Sequence, residues 1–185
     1  MIYLGIITND ANGIADTQLY ELLLAQFGSG VKGRRLRSEA LVDVRDLVIV
    51  NTQITDLSFL RFFPNLVTLD VHSNALETLE GLGFARRLRR LKVGDNPLES
   101  IENLSDCAKI EVLDMSGCAL VDVTPIAYLR NLRMLRASEC GIVDAQALSA
   151  LAHLEILVAD HNEIDDLRFL RRMETLRELN LGDNL

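Results

Sequence analysis

One 22-residue shape returns six times along this chain without an insertion or deletion. Cut from Leu47, the sequence divides into LVIVNTQITDLSFLRFFPNLVT, LDVHSNALETLEGLGFARRLRR, LKVGDNPLESIENLSDCAKIEV, LDMSGCALVDVTPIAYLRNLRM, LRASECGIVDAQALSALAHLEI and LVADHNEIDDLRFLRRMETLRE, and a seventh unit begins as LNLGDNL. A fixed period of this length means that each unit is one supersecondary element that cannot bury its own apolar stripe and must stack on its neighbours.

Reading down the columns gives the content of a unit. Apolar residues two apart open each one, as in Leu69 and Val71, Leu91 and Val93, Leu113 and Met115, which is the period of a strand with one buried face. Three places further stand Thr52, Asn74, Asn96, Cys118, Cys140, Asn162 and Asn184. A buried Asn at a sharp bend satisfies backbone groups that the turning chain leaves unpaired, and stacked units could link such amides into a ladder. Apolar residues then recur two, five and eight places on, for example Ile54, Leu57 and Leu60, a spacing that suits a 3-10 turn. Asp56, Thr78, Ser100, Asp122, Asp144 and Asp166 stand four places after the ladder residue, and all six are types that cap helix N-termini. Each unit therefore reads as strand, bend, capped helical turn and return. Stacked with parallel strands about 4.8 Å apart, the units predict an α/β solenoid: a horseshoe with a parallel concave sheet and short helical or 3-10 convex segments.

Over residues 41–185 the pattern L-x-L-x-x-N/C-x-L resembles the leucine-rich repeats. The 22-residue class is similar to that of Sds-type regulators of protein phosphatase one, leucine-rich axonemal dynein light chains and bacterial internalins; NTQITDLSFL and DVTPIAYLRNLRML resemble internalin units. The resemblance implies a protein-interaction scaffold or regulatory subunit, cytoplasmic and cytoskeleton-associated in one form, with a polypeptide partner on the concave face. Its alternatives are an internalin-like surface adhesin and the targeting module of a larger enzyme.

The rest of the sequence narrows function mainly by exclusion. With 27 acidic against 19 basic residues and a net charge of −8, the chain lacks the basic excess of a phosphate-backbone binder, so no nucleic acid is expected. No stretch reaches the roughly 18 apolar residues of a membrane span. MIYLGII has no Lys or Arg before it, is broken by Gly5 and is followed by TNDANG, so an intracellular protein without a signal peptide is expected. Cys118 and Cys140 fall in the ladder, and Cys107 falls in the interior column of Phe63, Ala85, Leu129, Leu151 and Met173; all three are expected to be buried free thiols. His72, His153 and His161 do not converge at metal-ligand spacing. GSGVKG, residues 28–33, lacks the strand before and helix after that a dinucleotide site needs, and reads as a flexible connection. TNDANGIADTQL hints at a calcium loop, yet has Thr8 first and Leu19 where a bidentate Glu belongs. No catalytic residues, cofactor or metal ligands are assigned, and an enzyme is not expected. The basic run from Arg86 to Lys92 divides between two segments, and Arg89 heads a column of alternating sign, Glu111, Arg133, Glu155, Arg177. That column predicts an inter-repeat ion ladder.

Both ends of a solenoid need covers. Residues 1–40 match no repeat and are assigned as an N-terminal helical cap. DTQLYELLLAQF forms its helix, with Leu19, Leu22, Leu23, Ala25 or Gln26 and Phe27 on one side, Asp16 as N-cap and Gly28 as stop, and a strand from IYLGII could assist. The last strand, Leu179 to Leu181, would expose an apolar edge, so the array is expected to be truncated, with a dimer covering that edge as the alternative.

Parity then selects the binding face. Positions between the buried strand residues, and two places to either side, point into the concavity. There Val112, Met134, Ile156 and Val158 form an adjacent apolar group, with Asp70, Lys92, Asp114, Arg136 and Asp160 as its charged rim. An exposed apolar patch inside a charged rim suits a protein interface. These nine residues are the candidate partner-binding set.

Overall fold

The computed structural model describes residues 5–30, 33–120 and 122–185. Seven strands of three residues, β1 (Asp46–Val48), β2 (Thr68–Asp70), β3 (Arg90–Lys92), β4 (Val112–Asp114), β5 (Met134–Arg136), β6 (Ile156–Val158) and β7 (Glu178–Asn180), form one parallel sheet in chain order. Register follows the sequence period, so Leu47 lies opposite Leu69, Leu69 opposite Leu91, and so on to Leu179. These central leucines are buried from Leu47 to Leu157, while Leu179, on the last strand of the sheet, is 47% exposed.

Opposite the sheet run 3-10 segments at Ser58–Phe62, Leu82–Phe84, Glu102–Cys107, Thr124–Tyr128, Gln146–Ala150 and Arg168–Arg172. All six predicted capping side chains accept a backbone N–H two residues on, from Ser58 N to Asp56 Oδ1 (2.7 Å) through to Arg168 N to Asp166 Oδ1 (2.9 Å). They act from outside the helical segment. In five units the position next to the segment is apolar, Leu57, Ile101, Val123, Ala145 or Leu167, and in the first four of these it is buried in the core, whereas Leu167, in the last full unit, is exposed. One side chain cannot both fill the core and cap, so the cap moves back into a local side-chain turn.

The ladder differs from the expectation in one respect. Asn74, Asn96, Asn162 and Asn184 each donate to three carbonyls, two in their own unit and one in the unit before, and accept a backbone N–H from the preceding unit. The amides are thus joined through backbone rather than to one another; only Thr52 bonds a ladder side chain directly, its hydroxyl donating to Asn74 Oδ1 at 3.0 Å. Cys118 and Cys140 keep the donor half alone, their thiols pointing to Val93 O and Met115 O. All three cysteines are free and buried, and burial pushes the Cys107 and Cys140 thiols up to about 11.

The residue before each ladder position is left-handed. Asn51, Ser73, Asp95, Gly117, Glu139, His161 and Asp183 have φ between 52° and 73°, which turns the chain sharply off the strand. Gly, Asn, Asp and His tolerate this conformation, whereas Ser73 and Glu139 hold it at a cost. Replacing Glu139 by Gly is expected to stabilise the fold by about 0.5 kcal/mol, since relief of strain exceeds the added freedom of the unfolded chain. A urea midpoint for Glu139→Gly at or below that of the parent would contradict this.

At the N-terminus α1 (Thr17–Phe27) begins where Asp16 accepts from Leu19 N. It buries Leu19 and Leu23, with Tyr20, Leu22, Leu24 and Phe27 half-covered against the core. Ala25 and Gln26 are exposed, so the predicted apolar side rotates by one residue toward Leu24. Gly28 ends the helix with φ −69°, not left-handed; a Cβ there would lie 2.3 Å from Leu24 O, so close approach is what requires glycine. After α2 (Ser38–Val42) the chain enters β1. Of the segment IYLGII, residues 2–4 lie outside the described residues; Gly5 and Ile7 exchange bonds with Ser38 and Leu36 as a short antiparallel pairing. Val31 and Lys32 of GSGVKG also lie outside, and its flanks are tied rather than loose, because Ser29 and Arg35 exchange two backbone bonds. Asp10 of the TNDANG turn accepts from Asn12 N, Gly13 N and the Thr8 hydroxyl, a self-contained turn. Arg61 of the first unit donates to the Asn12 and Gly13 carbonyls, fastening this region to the array.

Candidate functional site: the concave sheet

Because the register is an unbroken 22, every residue that points into the concavity has a neighbour of the same column on the next strand. Val112, Met134 and Ile156 are such consecutive partners on β4, β5 and β6, and Val158 lies opposite Arg136. The structure brings these four apolar residues together. They are half-buried rather than exposed, because each side chain is flanked by the next across one strand spacing and partly covers it. Val48 on β1, outside the predicted group, is 57% exposed on the same face.

The charged residues are less free than their column positions imply. Asp70 accepts from His72 Nδ1 at 2.6 Å and pairs with Lys92 at 3.2 Å. Partial burial works to raise its pKa, but these hydrogen bonds outweigh burial and hold the carboxyl below its ordinary value. Asp160 accepts from the Ser138 hydroxyl at 2.7 Å and meets His161 Nδ1 at 2.9 Å, and these two contacts lower its pKa. His161 is raised in turn by Asp160 and by Asp183, 3.2 Å from Nε2. Asp114 is half-buried and accepts from Ser116 N at 3.2 Å. Arg136 is exposed and, among the described residues, in no ion pair. Two of the five rim charges, Asp114 and Arg136, therefore remain open to a partner's charges.

Sequence reasoning missed a hollow of about 210 Å³ bounded by His72, Lys92, Asp95, Asp114 and Ser116. Its origin is Gly94, which puts no side chain into the third concave column; a Cβ there would stand 2.7 Å from Ser116 O. Gly94, standing between His72 and Ser116 in that column, was the available sign.

Along the flank, the alternating column forms pairs between Arg89 and Glu111, between Arg133 and Glu155, and between Arg177 and Glu155 at 3.8 Å. The step from Glu111 to Arg133 is open among the described residues. Such exposed pairs contribute about 0–1 kcal/mol each, and the register is the same at the open step as at the paired ones.

A parallel sheet of equal 22-residue steps, a ladder column of Asn, Cys or Thr at every bend and 3-10 segments opposite define a leucine-rich-repeat solenoid. No protein-family model matches the chain, and no curated protein does. Solved structures do. The chain is similar to internalin C2 (inlC2) of Listeria monocytogenes, with 24% identity and a TM-score of 0.71 over 92% of this chain and 85% of that one. It is also similar to an internalin (inlF) of Listeria monocytogenes, with 23% identity and a TM-score of 0.68 over 71% of this chain. The match spans 39% of the length of inlF. These likenesses show the fold. Among the described residues, no helix is long and apolar enough to cross a membrane.

Proposed function

We propose that this chain is a protein-interaction module that binds a polypeptide on its concave face, acting as a scaffold or regulatory subunit and not as an enzyme. The observation that carries the reading is the contiguous Val112, Met134, Ile156 and Val158 surface, in register over three strands and outside the core. Contiguous apolar surface within a charged rim is the usual composition of an interface. In this reading Arg136 and Asp114 meet complementary charges, while Asp70, Lys92 and Asp160, already engaged at home, shape the rim and the approach of the partner. Three unpaired thiols accord with a reducing cytoplasm.

The likeness to internalins favours a second reading, a surface adhesin, on the same face. Protease treatment of intact cells separates the two: loss of the chain from whole cells supports the adhesin.

The site itself is tested by the Met134→Asp, Ile156→Asp double variant. Interfaces concentrate their energy in a few desolvated residues, so retention of partners from native extract is expected to weaken by about 2 kcal/mol or more. Half-burial of both side chains means a modest loss of stability as well, about 1 kcal/mol, visible in the melting curve but leaving the chain folded. A folded double variant that keeps every partner would remove the concave anchor from consideration.

A further inference from the structure

The convex side carries a groove of about 1050 Å³ across the first three units. Unit two causes it. Its 3-10 segment is three residues long against five in unit one and six in unit three, and it alone has glycine in this stretch, at Gly81 and Gly83. In the column of Gly81 the other units place Phe59, Asn103, Pro125, Ala147 and Phe169, of which Phe59, Pro125 and Phe169 are buried; in the outward column of Gly83 they place Arg61, Ser105, Ala127, Ser149 and Arg171. Gly81 has φ +93°, and a Cβ on it would lie 2.7 Å from the Leu57 carbonyl carbon. A Cβ on Gly83 would stand 2.9 Å from Asp106 Oδ2. Unit two therefore lies low between its neighbours, and they form the walls.

The groove is polar in the other sense of the word. Asp56 and Glu80 stand where the units enter their convex segments, and Arg86 and Lys109 where they leave, with Asp106 on the wall between. All five are exposed, and among the described residues none is in an ion pair. Phe84 is 52% exposed at the rim. From Glu80 to Arg86 is six residues, three of them in the 3-10 segment, a span on the order of 12 Å, which an extended chain covers in about four residues.

We propose that this groove is a second binding site, on the face opposite the concave sheet, for an extended polypeptide segment with a basic residue at one end, an acidic residue about four positions away and an apolar residue between them. The basic residue pairs with Asp56 and Glu80, the acidic one with Arg86 and Lys109, and the apolar side chain lies on Phe84 above the glycine floor. Mutual complementarity of separated charges specifies direction as well as partner.

The probe is a phage-displayed library of random decapeptides sorted on the full chain. Selected peptides are expected to carry the basic, apolar, acidic order at that spacing. Their binding should weaken about tenfold or more in Phe84→Ala and in Gly83→Arg. Both substitutions place residues that other units hold in these columns, Ala150 and Arg61, so the fold accommodates them. Met134→Asp should leave this binding unchanged. Peptides without the charge order, binding that survives both convex variants, binding lost only in Met134→Asp, or no selection above the Gly83→Arg background would each overturn the proposal.

Discussion

Asn96→Leu is expected to lower the urea midpoint by the equivalent of about 3 kcal/mol, with the slope unchanged. Asn96 is buried, and its amide nitrogen donates to Val71 O at 3.0 Å, Val93 O at 2.8 Å and Gly94 O at 3.1 Å, while its oxygen accepts from Leu76 N at 3.0 Å. Leucine satisfies none of these groups, and water cannot reach them once unit three stacks on unit two. The loss is one of unmade bonds on both sides of a unit boundary, each costing about 1–3 kcal/mol when buried. Asn96→Cys serves as the control. The natural Cys118 gives its thiol to Val93 O, so cysteine at 96 should recover part of the donor half and cost less. Equal midpoints for Asn96→Leu and the parent would refute the structural role given to the ladder.

Phe63→Ala is expected to cost still more, about 3–5 kcal/mol. Phe63 is fully buried, and its ring meets Phe27 of α1 edge-on at 6.4 Å and Phe59 at 6.1 Å. Elsewhere the same interior column holds Ala85, Cys107, Leu129, Leu151 and Met173; the largest side chain stands where the neighbour is a helix and not another repeat. Removing it opens a cavity between α1 and the array. Amide protection of α1 should therefore fall in Phe63→Ala, whereas Leu151→Ala, in the middle of the array, should destabilise without this local loss. Full retention of α1 protection in Phe63→Ala would show that the helix is held by other contacts, such as Arg61 on the Gly13 carbonyl.

The columns that were legible share one property: each is imposed by a contact that repeats identically in every unit. Leu47 to Leu157 meet only their own equivalents across the sheet, so the period alone places them. The capping carboxylates and hydroxyls act on a donor two residues away, so they too are local. The left-handed column was readable in principle from Asn51, Asp95, Gly117 and Asp183, but Glu139 and His161 in the same column blur the composition. Its conformation is set by the need to turn from strand to convex segment within one unit.

Where neighbouring units differ, sequence stopped being sufficient. Parity placed Val112, Met134, Ile156 and Val158 on the concave side, yet how deeply they are covered depends on the size of the side chain one strand away, and that left them half-buried. Column position likewise made Asp70 and Asp160 rim charges; their engagement by His72, Lys92, Ser138 and His161 comes from side-chain reach across the sheet. The floor of the convex groove is two glycines that any reader can see, but its walls are residues 22 positions before and after. By itself the sequence determined the repeat, the parallel register, the core columns and the face each residue takes, because those follow from periodicity. Only the stacked structure decided which surface is open, which charges are already spent on neighbours and where a hollow lies, because each is a difference between adjacent units that exists only once they pack.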